Sequence, residues 1–300
     1  MLKNPVVSNE TQNIAANYIR YSKETKSGKA LGSVRITDKE NSSIIAGNVA
    51  EYNDLKETAM VTDSAVYMNY NDSDTLYLHA DTLRTIPDTV PDEKIVFAFH
   101  KVRFFRTDIQ GICDSMVYFT RDSIIQLHNF PILWSEIHQL SADFIEMKQF
   151  ADAPDELHLS RNSFIISKQD TNMYDQIKGK EMVGYIINQK LNNIEVNGNG
   201  QTLYYAREKE EIIGLNRAES SKISIRFKEG KINTISFLKA PEGELKPLLE
   251  LKEEDKKLKG FDWKIYLRPL SKYDIFDRPV VPEPEVKKKE PKNKANTSEQ

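Results

Sequence analysis

From Ile14 to Phe237 apolar and polar positions alternate with a period of two, and no stretch carries the 3.6-residue period of a useful amphipathic helix. Ile223, Ile225 and Phe227 set against Ser224 and Arg226 show the alternation at its clearest. Strands are predicted over 17–21, 30–36, 43–52, 59–68, 76–83, 95–105, 111–119, 123–127, 140–147, 156–166, 176–187, 192–205, 211–218, 222–227 and 232–238. Turn-forming residues separate them at 22–28, 69–74, 87–93 and 152–155, and Lys228-Glu229-Gly230-Lys231 reads as a hairpin.

One strand form recurs. Leu76–Asp81 has an apolar lead-in, a small residue (Ala80), a polar residue and a restart. The same form returns around Ala16, Ala46, Cys113, Ala142, Gly179 and, loosely, Ala218, in steps of 30, 34, 33, 29, 37 and 39 residues. Such spacing marks a repeat architecture. Between these lie corners of a second kind, at Gly32-Ser33, Asp63-Ser64, His100-Lys101, His128-Asn129, Arg161-Asn162 and Gly198-Asn199. Their Gly, Asn, Asp and Ser residues tolerate the backbone angles of a bend. Each period is therefore two strands with a bend in each. The chain reads as an all-β, repetitive antiparallel sheet of about 14 strands folded over on itself.

The pattern fades after residue 243. Leu249–Leu258 is charged enough for a short helix, and Phe261, Trp263 and Tyr266 supply aromatics to plug the open end of the stack, as terminal repeats require. From Asp277 the chain is rich in Pro, Lys and Glu, the composition of a disordered tail. The expected division is a flexible N-terminus over 1–12, a β body over 13–243, a C-terminal capping segment with a short helix over 244–276 and a disordered charged tail over 277–300. A net charge of −3 gives no attraction to nucleic acid or an anionic membrane. Residues 1–5 lack the apolar core of a signal peptide, and the chain starts almost inside a repeat, so residues upstream are expected to be missing.

The search for chemistry nominates no catalytic residue, metal site or cofactor. There is no phosphate-binding loop and no nucleophile elbow. His100 and His128 occupy equivalent corners and are read as solvated, not metal-ligating. Cys113, the sole cysteine, fills a small-residue slot and reads as a buried stand-in for alanine. The remaining signal is apolar: Ile45, Val49, Leu78, Leu83, Phe97, Phe99, Val102, Phe104, Met116, Leu127, Phe144, Phe164, Val196, Ile223, Ile225 and Phe237. These form a dry core, or they line a groove wide enough for lipid, where each buried methylene contributes about 0.8 kcal/mol. Composition does not choose between the two.

The ordered series of corners resembles the OstA-like periplasmic domain of lipopolysaccharide transport, found in LptA and in the N-terminal part of LptD. It is carried by Gly32-Ser33-Val34, Gly47-Asn48-Val49, Ala80-Asp81 and Ala142-Asp143. The segments 59–65, 74–83, 102–105, 108–114 and 196–205, with Leu258-Lys259-Gly260-Phe261 and Leu267-Arg268-Pro269, resemble the Bacteroidota branch more closely. The resemblance covers roughly residues 14–276. It implies a β-jellyroll or β-taco, no enzymatic activity, and a groove for the acyl chains of lipid A. It further implies a location in the periplasm, extending to the periplasmic face of the outer membrane. It also implies strand addition to other OstA-like components and self-association by the same route. The edges would be Asn17, Tyr18, Ile19 and Tyr21 at one end and Ile232, Ile235 and Phe237 at the other. Lys101, Arg103 and Arg106 near the margin read first as an ordinary solvated surface, and otherwise as placed to meet phosphates. Two rival readings are a packed interaction solenoid without ligand and a carbohydrate-active β-solenoid enzyme.

Overall fold

The structure, a computed structural model, describes residues 5–8, 10, 12–70, 74–91, 93–209 and 211–277. The tail expected beyond Asp277 lies outside the described residues.

The strand pieces are β1 (Val6–Ser8), β2 (Gln12–Ala15), β3 (Tyr18–Ser22), β4 (Ser27–Asp38), β5 (Ser43–Asn53), β6 (Thr58–Tyr70), β7 (Thr75–Pro87), β8 (Lys94–Phe105), β9 (Gln110–Phe119) and β10 (Ile124–His128). They continue with β11 (Ile132–Ser135), β12 (His138–Ser141), β13 (Phe144–Lys148), β14 (Asp155–Asp170), β15 (Met173–Ile187), β16 (Lys190–Glu208), β17 (Glu211–Lys228), β18 (Lys231–Lys239) and β19 (Glu242–Lys246). All belong to one antiparallel sheet of 19 pieces. Four breaks, after β2, β10, β12 and β18, are corners in one running strand. The pieces therefore make fourteen bent strands plus β1.

The bend is visible in the ladder. Register slips by one residue at the middle of each long pair, between Leu31 and Val34, Thr62 and Ala65, Phe99 and Val102, Ser160 and Ser163, and Asn197 and Gly200. At each slip two residues oppose one, and that extra residue turns the strand through a corner. Alternate corners sit in the left-handed backbone region, at Gly32, Ser33, Asp63, Ser64, Lys101, Asn129, Phe130, Arg161, Asn162, Gly198 and Asn199. Gly32 and Gly198, with φ of +71° and +78°, take it without a Cβ penalty. The other corners use small residues for lack of space. An added Cβ at Gly47 would lie 2.6 Å from Val61 Cγ1, and at Gly179 2.4 Å from Val196 Cγ1. The small slots are thus the apex where two layers meet. Two of them move from the expected residue to a neighbour. Gly47, not Ala46, and Ser220, not Ala218, stand at the apex, because Ile45 faces inward and so turns Ala46 out, and Ser220 opposes Gly200.

Each bent strand gives one arm to each of two layers. Layer one holds β2, β11, β12, β19, the first halves of β5, β7, β9, β15 and β17, and the second halves of β4, β6, β8, β14 and β16. Layer two holds β3, β10, β13, β18 and the remaining halves. Between them lies the main core.

The ends differ from expectation. Residues 6–8, expected to fray, form β1 and pair with β2 (Val6↔Ala15, Val7↔Ile14), because β2 offers an unpaired edge and Val6-Val7 are strong strand formers. The C-terminal segment carries two 3-10 turns, Leu248–Glu250 and Ile265–Leu267, where a short helix was expected; Pro247 precedes the first. It does not plug the end of the stack. It runs as a strap back across the outer face of layer one, because that face is itself apolar: Leu258 buries against Phe164, Ile166, Leu203, Tyr205 and Leu215.

Candidate functional site

Alternation along the strands fixes which residues face the space between the layers. In layer two one row crosses every bent strand: Ile19, Ala30, Ala50, Val61, Leu83, Ala98, Met116, Leu127, Ile145, Leu159, Met182, Val196, Ile223 and Phe237. Layer one answers with Ile14, Ile36, Ile45, Tyr67, Leu78, Phe104, Gly111, Leu133, Leu140, Ile165, Ile177, Thr202, Ala218 and Gly243. Two continuous, nearly all-apolar ladders face each other along the whole molecule.

Of the sequence-selected groove residues, Leu78, Leu83, Val102, Phe104, Leu127, Val196, Ile223 and Ile225 are buried in this interior. Ile45, Met116 and Phe237 pack partly buried against it. The structure does not bring the other five there. Phe97 and Phe99 flank the fully buried Ala98 and therefore point to the outer face of layer two, where their rings meet at 6.4 Å. Val49 beside Ala50 and Phe144 beside Ile145 point outward for the same reason; Phe144 packs on His128 at 5.0 Å. Phe164 belongs to the outer face of layer one, under the strap. Aromatic size drew these residues in, whereas the parity of their small or aliphatic neighbours carried the signal.

The three basic residues are engaged within the chain. Lys101 reaches Asp81 at 3.2 Å, and Arg106 binds Asp108 through two bonds of 2.5 and 2.9 Å. Arg103 donates to Asp274 O and Leu267 O at 3.2 and 3.1 Å, so it holds the strap instead of a phosphate. His100 donates from Nδ1 to the Asp114 carboxylate, 3.0 Å away. Among the described residues no cluster of three His, Cys, Asp or Glu side chains could hold a metal. Burial pushes the Cys113 thiol up to about 12, which keeps it neutral.

Sequence reasoning missed a row of three buried glutamines on the outer face of layer one. Gln176 donates to Lys256 O (2.7 Å) and accepts from Leu258 N–H (2.8 Å). Gln139 treats Asp262 O (2.8 Å) and Lys264 N–H (2.7 Å) in the same way. Gln110 accepts from Arg268 Nε at 2.7 Å. Each of the first two mimics a strand's donor and acceptor and so satisfies an irregular backbone. The signal was available: an uncharged long amide at an outward strand position, repeated in strand after strand.

The layers are also tied at their free margin. His138, at the start of β12, donates from Nε2 to Gly230 O in the β17–β18 turn at 2.8 Å, and Ser167 Oγ supplies the proton to Nδ1 at 2.7 Å. Its ring meets Phe227 edge-on at 5.4 Å. Burial holds this histidine below its usual value, in keeping with a neutral ring. Nearby, Asp175 accepts the Tyr205 N–H at 2.9 Å, and burial, only partly offset by that bond and by Arg207, pushes its carboxyl up to about 7.

No known family profile matches the sequence, and no curated protein does. Among solved structures the chain is similar to LptH, the LptA-homologous periplasmic component of the lipopolysaccharide transport device of Pseudomonas aeruginosa. The match covers 39% of this chain and 81% of that one, at 15% identity and a TM-score of 0.34.

Proposed function

We propose that this chain is a non-enzymatic lipopolysaccharide carrier of the OstA-like kind, holding acyl chains between its two layers while sugars and phosphates stay in water. The observation that carries the reading is the pair of facing apolar ladders running uninterrupted through fourteen bent strands. A folded-over sheet with one greasy side per layer can shelter a chain of methylenes anywhere the layers part. The ordered corner motifs of the sequence support the same reading.

Edge pairing forms the second part. Among the described residues β3 pairs only with β4, and β18 only with β17. Their outer backbone groups are open to another strand. The strap leaves β18 uncovered, since it crosses layer one. We place the protein in the periplasm on this reading, with further OstA-like domains or a second copy as strand partners.

The dense packing between β11 and β18 favours, for that part of the chain, the rival reading of a filled solenoid. A photo-crosslinking pair decides between them. A benzophenone side chain at Leu83, on the inner row, is expected to capture lipid A from purified mixtures, and one at Phe97, on the outer face of the adjoining strand, is not. Equal capture at both, or none at Leu83, ends the carrier reading.

A further inference from the structure

The two ladders do not offer the same space along their length. Every large inward-facing side chain that is essentially sealed from solvent lies at or beyond Leu133: Leu133, Ile145, Leu159, Ile165 and Met182 are examples. Before that point the sealed positions are alanines and valines, as at Ala65, Ala80, Ala98 and Val102; Leu78, Leu83 and Phe104 are buried without being fully sealed, and Ile45, Tyr67 and Leu76 are only partly covered.

The next row of layer two, one step nearer the free margin, sharpens the contrast. Up to β9 it reads Tyr21, Gly28, Tyr52, Ala59, Thr85, Val96, Tyr118, and from β10 it turns to Ile125, Met147 and Leu157, with Ile194, Ile225 and Ile235 beyond. Tyr52 lies over Gly28, where an added Cβ would fall 2.1 Å from its ring, and Tyr21 stacks on Tyr52 at 6.0 Å with the rings 7° from parallel. From layer one, Tyr67 stands in the ladder that faces layer two and is only partly buried. The margin of the first half is thus lined by tyrosines from both layers. A tyrosine offers an apolar ring to a hydrocarbon chain and a hydroxyl to whatever the chain is attached to.

The second half is held shut. The His138–Gly230 bond ties the margins of the two layers together, and the strap braces the outer face of layer one from β17 back to β7. The strap reaches β7 to β9 through Arg103, Gln110 and His79, but among the described residues nothing comparable crosses β3 to β6, and no bond like His138–Gly230 ties the margins of the first half.

We infer that the amphiphile site is confined to the first half, between β3 and β9, and that Tyr21, Tyr52, Tyr67 and Tyr118 form its margin. There the boundary between acyl chain and hydroxyl- or phosphate-bearing head would sit. The inference rests on the carrier reading but is separable from it: it excludes the interior beyond β10 as a resting place for the chain.

The test compares four positions of one row, all of them short of full burial, so that a bulky crosslinker is tolerated equally. Benzophenone side chains at Tyr52 and Tyr118 are set against the same group at Met147 and Ile235, in the full chain, with purified lipid A as the probe. Capture at the first pair exceeding the second by roughly tenfold is the expected result; a difference of one well-packed site amounts to that factor or more. Capture at all four alike, or stronger at Met147 and Ile235, overturns the inference and leaves the carrier reading standing. Capture at none overturns both. A second measurement needs no bulky group. Tyr52→Phe and Tyr118→Phe, with unchanged thermal midpoints, are expected to weaken lipid A binding roughly two- to tenfold each, the worth of one hydrogen bond. Unaltered binding in both would deny the hydroxyls their role and reject the assigned margin.

Discussion

Between β3 and β9 the residues sealed inside are Val34, Ala65, Ala80, Ala98 and Val102; from β11 to β17 they are Leu133, Ile145, Leu159, Ile165, Ile177, Met182, Ile194, Val196, Ile223 and Ile225. The same bent-strand repeat builds both halves, with the same corner chemistry. What separates them is coverage. The second half has apolar residues on both faces of layer one, and the strap covers the outer one. The lesson is that a repeat dictates the path of the backbone, while the filling of the interior depends on what each segment is asked to pack against.

The largest effect should come from emptying the filled half. Ile145→Ala removes a fully buried side chain flanked by Leu127 and Leu159 and is expected to cost about 2–5 kcal/mol in urea unfolding. Ile45→Ala, in the partly covered half, is expected to cost about 1 kcal/mol. Equal losses would erase the contrast.

Asp175 gives the next largest effect, and its sign depends on pH. Its folded carboxyl is pushed up to about 7 from 3.8 by burial, so the folded chain binds more protons than the unfolded one between those values. Stability contributed by the neutral acid is complete below pH 3.8 and is lost as pH rises through 7. Asp175→Asn keeps the acceptor for Tyr205 N–H and removes the charge. It should be neutral near pH 4 and stabilise the chain at pH 8 by roughly 4 kcal/mol. A pH-independent difference would mean that water reaches this carboxyl.

The strap comes third. Gln139→Ala leaves Asp262 O and Lys264 N–H without partners and is expected to cost about 1–3 kcal/mol. Amide exchange should quicken in β12, β14 and β15 and stay unchanged in β4 to β6. Uniform quickening would show that the strap steadies the whole sheet.

Much of this was legible in the sequence. The two corner types and the alternation placed the bends, because a corner needs either a left-handed backbone or a residue small enough for the apex. The faces were less legible. Phe97, Phe99 and Phe144 look like core, yet period two puts them opposite Ala98 and Ile145, and the small neighbour was the informative one. Phe164 failed differently: layer one is apolar on both sides, and no local pattern says which side the strap will take. The strap itself was invisible as such, since its partners, Gln110, Gln139 and Gln176, lie 80 to 158 residues away in the chain.

The smallest effect concerns the margin, and it must be read against Asp175, which responds to acid in the opposite sense. His138 is neutral in the fold, donating to Gly230 O and accepting from Ser167, and burial lowers its folded value below 6.5. The unfolded chain therefore binds more protons just below pH 6.5. Stability from this group is complete above that value and is lost as pH falls toward the folded value. Acid titration of Asp175 stabilises over the same interval, so the comparison belongs in the Asp175→Asn background. There, stability should fall as pH drops below 6.5, and His138→Phe should remove that part of the slope. A protonated ring can still donate to Gly230 O, but it can no longer accept from Ser167, and it sits against Phe227 with Glu136 as the nearby counter-charge. Exchange should accordingly quicken first in β12 and the β17–β18 hairpin, at the tie between the layers. If the first half opens instead, the margin of the second is held by something other than His138.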